Sequence, residues 1–160
     1  MKTMRRLNIL LVVVVVVLAA MCVVSVSSPI RFERERAQRE TLVKQRLLQI
    51  RAAAENYRRQ TGAYTASMAT LVKGGFLADS LRYIPFADGK QFHIEASAVA
   101  TRSGRQMPVM ECSATYAEYL DGLDANAIHN ITVAANDAGR FAGLKIGDLA
   151  TPNDNRGNWE

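Results

Sequence analysis

His93 and His129 are the only histidines of the chain, and Cys22 and Cys112 the only cysteines. These four residues, with the acids Glu111, Glu118, Asp121 and Asp124, are the side chains from which catalysis or metal binding would have to be built. The spacing of the histidines and cysteines matches no zinc pattern, and no Ser-His-Asp or Cys-His arrangement is suggested. His93 falls out of phase with Phe92 and Ile94 and reads as a surface-facing strand residue, while His129 beside Asn130 reads as loop. The four acids lack the alternating oxygen ligands and central glycine of an EF-hand loop, so a solvated acidic surface is expected. Ala135–Gly147 contains glycines but no phosphate-cradling run ending in Lys-Ser or Lys-Thr. Cys112 reads as a small buried hydrophobe, and a disulfide from it to Cys22 is geometrically implausible. No enzyme, cofactor, metal or small-molecule substrate follows from these residues.

The elements that carry them are unevenly composed. The 160 residues are 49% hydrophobic and 22% charged, with a net charge of +5, a length that suits one modest domain. Residues 1–30 contribute +3, residues 31–60 contribute +5 and residues 61–160 contribute −3. The basic balance thus belongs to the N-terminal third, and a nucleic-acid footprint on the globular part is not supported.

After a basic tail, residues 1–6, the stretch Leu7–Val26 runs for 20 residues without a charge, through Val12 and Val17. As a helix it spans roughly 30 Å, the hydrocarbon thickness of a bilayer. In lipid a helix satisfies the backbone that the valines alone would leave extended. Residues 7–26 are therefore read as a single transmembrane helix, its anchor positions including Leu7, Val12, Val17 and Val26 and its partner the lipid bilayer. The rival is a signal peptide cleaved near Ser27, whose apolar region is usually shorter. Orientation pulls both ways. Lys2, Arg5 and Arg6 abut the apolar run, whereas Arg31, Arg34, Arg36, Arg39, Lys44 and Arg46 follow it.

Residues 27–60 are expected to form a charged stalk helix, with Arg31–Gln60 lacking Gly and Pro. Val43, Leu47, Ile50, Ala54 and Tyr57 recur at spacings of 4, 3, 4 and 3, an apolar stripe that packs the second half of the stalk on the domain. Arg31–Glu40 is charged nearly all round. It is either a solvated face or a contact for anionic lipid or a neighbouring subunit, with Arg34, Arg36 and Arg39 as the partner-facing candidates. Gly62 provides the stop.

Residues 61–160 read as a small α+β domain. A short helix is capped by Thr65 or Ser67 and stopped at Gly74-Gly75. Asp88-Gly89 marks a turn, Gln91–Val99 a half-buried strand and Thr101–Gly104 a hairpin loop. Gln106–Ser113 is a second strand, which Pro108 makes an edge or a bulge. Tyr116–Leu120 reads as a helical turn, Ile131-Thr132-Val133 as a further strand, and Phe141–Leu149 as apolar and punctuated by glycine. In the polar tail Thr151–Glu160, Trp159 either folds back as a plug or presents a partner contact.

The order of these elements carries a resemblance. Ile50–Ile84, with Ala54, Tyr57, Thr61-Gly62-Ala63-Tyr64, Leu71-Val72, Gly75-Phe76-Leu77 and Ile84-Pro85, resembles the corresponding stretch of type IV pilins and type II secretion pseudopilins. The chain as a whole also resembles uncharacterised single-pass envelope proteins of bacteria. The pilin glycine before the apolar run and the glutamate at the fifth mature position have no counterpart before Glu33. The resemblance implies a pilin-like fold: a long transmembrane-plus-stalk helix packed on a small antiparallel sheet. It implies a structural or assembly component of a pilus-like or secretion-like envelope machine, its domain outside the cytoplasmic membrane and its partners other envelope or pilin-like subunits. A membrane-tethered cytoplasmic adaptor and a secreted domain are the alternatives.

Overall fold

The computed structural model describes residues 2–100 and 104–160, the side chains of residues 2–9 and 23–28 excepted. The order of elements is α1 (Lys2–Thr61), α2 (Met68–Lys73), a 3-10 turn (Asp79–Arg82), β1 (His93–Ala100), β2 (Gln106–Thr115), α3 (Tyr116–Tyr119), α4 (Ala125–Asp137) and β3 (Gly143–Gly147). The chain divides into two compact units, Met1–Arg36 and Ala37–Glu160.

In the first unit α1 is helical throughout and includes Pro29, which forgoes one backbone bond there. Val12 and Val17 are exposed. The expected membrane segment at residues 7–26 falls partly outside the described residues, since the side chains of Leu7 and Val26 are not described. Among the described residues, no helix is long and apolar enough to cross a membrane.

The second unit is α+β. Along α1, Val43, Leu47 and Ile50 are fully buried and Ala53 and Ala54 nearly so, as the 4-3-4 spacing requires of an inward stripe. Tyr57, half-buried, meets the Phe76 ring edge-on with centroids 5.5 Å apart. The Thr61 hydroxyl lies within donating distance of both the Tyr57 and the Ala63 carbonyls, and Gly62, at a φ of 85°, donates its N–H to the Arg58 carbonyl as the helix ends. Ser67 caps α2 by accepting the Thr70 N–H, while Thr65 Oγ1 accepts the Ser67 N–H. Of the two candidates Ser67 is the cap, and Thr65 supports the turn before it.

The sheet is antiparallel in the order β1-β2-β3. His93 pairs with Ser113 and Ala100 with Gln106, without interruption; Glu111 pairs with Gly147 and Thr115 with Gly143. Lys145 donates its N–H to Asn158 Oδ1 and accepts the Asn158 N–H at its carbonyl, so Lys145 faces away from β2. Strict alternation then turns Leu144 and Ile146 toward β2, and on β2 turns Ala114, Cys112, Met110 and Pro108 toward the β3 side. The same even-numbered positions bury their side chains: Met110, Cys112, Ala114, Leu144 and Ile146 are all core. Residues of odd number, His93, Glu95, Glu111 and Lys145 among them, share the opposite, polar face.

This register corrects the expectation for Pro108. It lies neither in an edge strand nor at a bulge but in the central strand, at the half of β2 that β3 does not reach. Its missing N–H points where there is no strand to receive one. A second correction concerns Ile131-Thr132-Val133, which belongs to helix α4 rather than to a strand; His129 accordingly lies on an exposed helical face and not in a loop. Asp124 Oδ1 accepts the Ala127 N–H at the N-terminus of α4, and Thr132 returns its hydroxyl to the Ile128 carbonyl. Capping and this back-bond outweigh the weak strand preference of three β-branched residues. Of the hairpin loop expected at Thr101–Gly104, residues 101–103 lie outside the described residues.

Gly147 shows why β3 ends where it does. Its φ is 73°, and a Cβ there would lie 2.1 Å from the Met110 carbonyl oxygen. From that turn the chain leaves the sheet and returns as the tail, which bridges Ile146 through Gly157.

Candidate functional site

The polar face of the sheet gathers the residues that could do chemistry. His93 and Ser113 are directly paired across β1 and β2, and His93 Nε2 lies 2.8 Å from Glu118 Oε1 on α3. Serine, histidine and carboxylate thus stand close together, a juxtaposition that sequence order did not reveal. The bonding fastens the sheet to the helix. His93 Nε2 is engaged by Glu118, and among the described residues no side-chain hydrogen bond joins Ser113 to His93. Glu118 Oε2 accepts both the Thr115 N–H and the Thr115 hydroxyl at 2.8 Å, the carboxylate half of a capping box for α3. Burial pushes the Glu118 carboxyl up, but the Thr115 N–H, His93 and the Thr115 hydroxyl together outweigh it and hold it below the usual carboxylate range. The group is a clasp between sheet and helix, held ionised.

The other acids have local duties as well. Glu111 Oε2 accepts from Lys145 Nζ at 2.8 Å, and Asp148 Oδ2 stands 3.7 Å from the same ammonium. Asp148 Oδ1 accepts the N–H groups of Thr151 and Ala150, which hold its carboxyl low. Asp121 accepts from Gly122 N–H, and Asp124 caps α4. Among the described residues no group of His, Cys, Asp and Glu could hold a metal ion. Cys112 is fully buried, and burial pushes its thiol far up, out of nucleophilic range. Cys22 is exposed.

A cavity of about 230 Å³ lies where β3 would continue alongside β2. Pro108 and Met107 form one wall, the tail at Asp154 another, and Glu55, Arg58 and Tyr64 complete it. Arg58 lies over the Tyr64 ring at 5.1 Å. The walls carry both signs of charge, Glu55, Asp148 and Asp154 against Arg58 and Arg59.

What the structure does assemble is a row of arginines on α1, each holding a distant segment by its backbone. Arg39 Nη1 donates to the carbonyls of Tyr119 (3.1 Å) and Asp121 (2.8 Å), with its guanidinium 4.5 Å from the Phe86 ring centroid. Arg46 donates to the Tyr83 and Ser80 carbonyls. Arg51 donates to the Asn155 carbonyl and to both carboxylate oxygens of Glu160. Asn155 Nδ2 completes the tail's attachment by donating to Tyr64 Oη at 2.7 Å.

The partner-facing candidates separate on this basis. Arg39 is spent inside the unit. Arg34 is exposed, and Arg36 pairs with Glu33 at 3.6 Å. Trp159 is half-buried, its ring against Gly157 and 5.8 Å from Lys44 Nζ, which is the folded-back arrangement. The packing candidates Val43, Leu47, Ile50 and Ala54 are core. The guanidinium-to-carbonyl bonds escaped sequence reasoning because a carbonyl acceptor carries no residue signature. Compared with known protein families, curated proteins and solved structures, the chain matches none.

Proposed function

We propose that this chain is a non-enzymatic, single-pass membrane protein whose pilin-like α+β unit lies outside the cytoplasmic membrane, as a structural or assembly component of a pilus-like or secretion-like envelope machine. The observation that carries this reading is α1 itself. One continuous helix from Lys2 to Thr61 bears a charge-free, apolar sequence over residues 7–26 and, further along, the fully buried stripe of a folded unit. Such a helix would tie the folded unit to a bilayer. The side chains with chemical potential support the same reading, since His93, Glu118, Glu111 and Cys112 are committed to clasps, caps and core.

Alkaline phosphatase and fluorescent-protein fusions following Glu160 test the topology. Phosphatase activity without fluorescence is the expected result, followed by recovery of membrane partners on crosslinking in cells. Fluorescence without phosphatase activity would overturn the extracytoplasmic placement in favour of a membrane-tethered cytoplasmic adaptor, the reading that the arginines after the apolar run favour. A mature N-terminus near Ser28 would instead indicate a released domain.

A further inference from the structure

The two edges of the sheet are treated differently by this chain. On β3, every second residue faces outward, and the tail satisfies each in turn. Gly143 O accepts from Asn158 Nδ2, Lys145 exchanges bonds with Asn158 Oδ1 and N–H, and Gly147 donates to the Arg156 carbonyl. On β1, the outward residues follow from the register. His93, Glu95, Ser97 and Val99 face β2, so Ile94, Ala96, Ala98 and Ala100 direct their N–H and C=O groups away from the sheet. The Phe92 N–H, donating to Arg82 at 3.0 Å, confirms the parity and marks where the covering segment stops. Beyond Phe92, no strand among the described residues pairs with this edge. Nor does β1 carry a lysine, a proline or a bulge, three of the devices that keep open edges from pairing, and its one acid is Glu95.

We propose that this edge is an interface at which β1 pairs antiparallel with β1 of a second copy of the chain. Within such a self-pairing, the sequence of the strand selects the register. With Ser97 opposite Ser97 of the copy, Ile94 meets Ala100, Ala96 meets Ala98, and all four outward residues of each strand exchange backbone hydrogen bonds. Shifting by two residues toward the N-terminus loses a bonded pair, and a further shift of two brings Glu95 against its own copy. In the Ser97-centred register the Glu95 residues lie about 13 Å apart along the strands, four residues at ~3.3 Å each, beyond the ~10 Å screening length at 0.1 M salt. Two sheets join into one, and both of its new outer edges are the β3 edges that the tails already cover. This deepens the assembly reading, resting on it for the role of the dimer but not for its geometry.

Disulfide trapping of the full chain in detergent tests the register, in a Cys22→Ser background with buried Cys112 left in place. Ser97→Cys sits at a pair directly opposite without mutual hydrogen bonds, with Cα atoms about 4.5 Å apart, inside the ~4.4–6.8 Å range of disulfides. Oxidation is expected to give a Ser97→Cys dimer, no dimer for Glu95→Cys alone, and a mixed dimer when Glu95→Cys and Val99→Cys chains are combined. Ala98→Pro removes an N–H that no strand of the same chain uses, and should abolish the Ser97→Cys dimer while the melting of the monomer persists. Monomeric Ser97→Cys, an equal yield from exposed Ala138→Cys, a Glu95→Cys homodimer, or a crosslink to a different protein instead would each overturn the proposal. Reporter topology bears on the membrane reading alone and the disulfide pattern on this edge alone, so either can fail without the other.

Discussion

Replacing Ile50 with alanine asks whether α1 is the spine of the folded unit. Ile50 is fully buried, so the substitution deletes about three methyl or methylene groups at ~0.8 kcal/mol each, roughly 2.4 kcal/mol from transfer alone. The helix cannot collapse onto the space, because Arg46 and Arg51 on either side are tied to Tyr83 and Asn155. A residual cavity therefore adds to the loss, for a total of about 3–4 kcal/mol, inside the usual range for such truncations. For a unit of this size that corresponds to a fall in Tm of roughly 10–20 °C. Leu42→Ala supplies the comparison: Leu42 lies on the same helix but is 44% exposed, and its loss should amount to less than about 1 kcal/mol. The assay is thermal unfolding of the detergent-solubilised full chain, followed by near-ultraviolet circular dichroism so that tertiary packing is read rather than helix content. A shift below ~0.5 kcal/mol for Ile50→Ala, or equal shifts for the two variants, would refute the account of α1 as a packed spine.

Two further outcomes follow from the clasp and the tail. The Glu118 carboxyl titrates below its unfolded value, so the stability it supplies is fully present above about pH 4.3 and is lost as the pH falls through the lowered folded value. Glu118→Gln should melt lower than the parent at pH 7, with the difference shrinking at pH 3; a gap of the same size at both would show that ionisation is irrelevant there. Asn158→Ala removes the side-chain bonds to Gly143 and Lys145 and should lower stability by about 1 kcal/mol, with a red shift of the emission from Trp159; unchanged emission would mean that the tail is held without them.

Much of the fold was legible where local pattern and tertiary demand coincide. The stripe Val43–Tyr57, the stop at Gly62, the Ser67 cap and the alternation of Phe92, Ile94 and Ala96 each state one preference, and the structure uses it. The α+β class followed from them. Legibility failed where the deciding partner was remote or was a backbone atom. Ile131-Thr132-Val133 reads as strand until Asp124 is recognised as a helix cap seven residues earlier. Pro108 reads as an edge-strand residue until the register puts it in the central strand, at the half that β3 does not flank. His93, Ser113 and Glu118 come together only through strand register, and Arg39 reads as a surface charge until the carbonyls of Tyr119 and Asp121 are found beneath it. Acidic residues that looked like one solvated patch are separate caps and ion pairs, because composition does not say which N–H a carboxylate will find.

The arginine fastenings along α1 also govern timing. Arg39, Arg46 and Arg51 wait for acceptors that lie 80, 37 and 104 residues further along the chain. Synthesis from the N-terminus makes the spine first and its last fastening point almost last. Closing loops of that length is slow, so the set of fastenings is completed only when Asn155 arrives. Until then the tail is not fastened to the spine, and the nascent chain remains loose there. A chain halted before residue 155 would keep its helix but lack the means to settle around it, and such fragments should be the preferred prey of proteases.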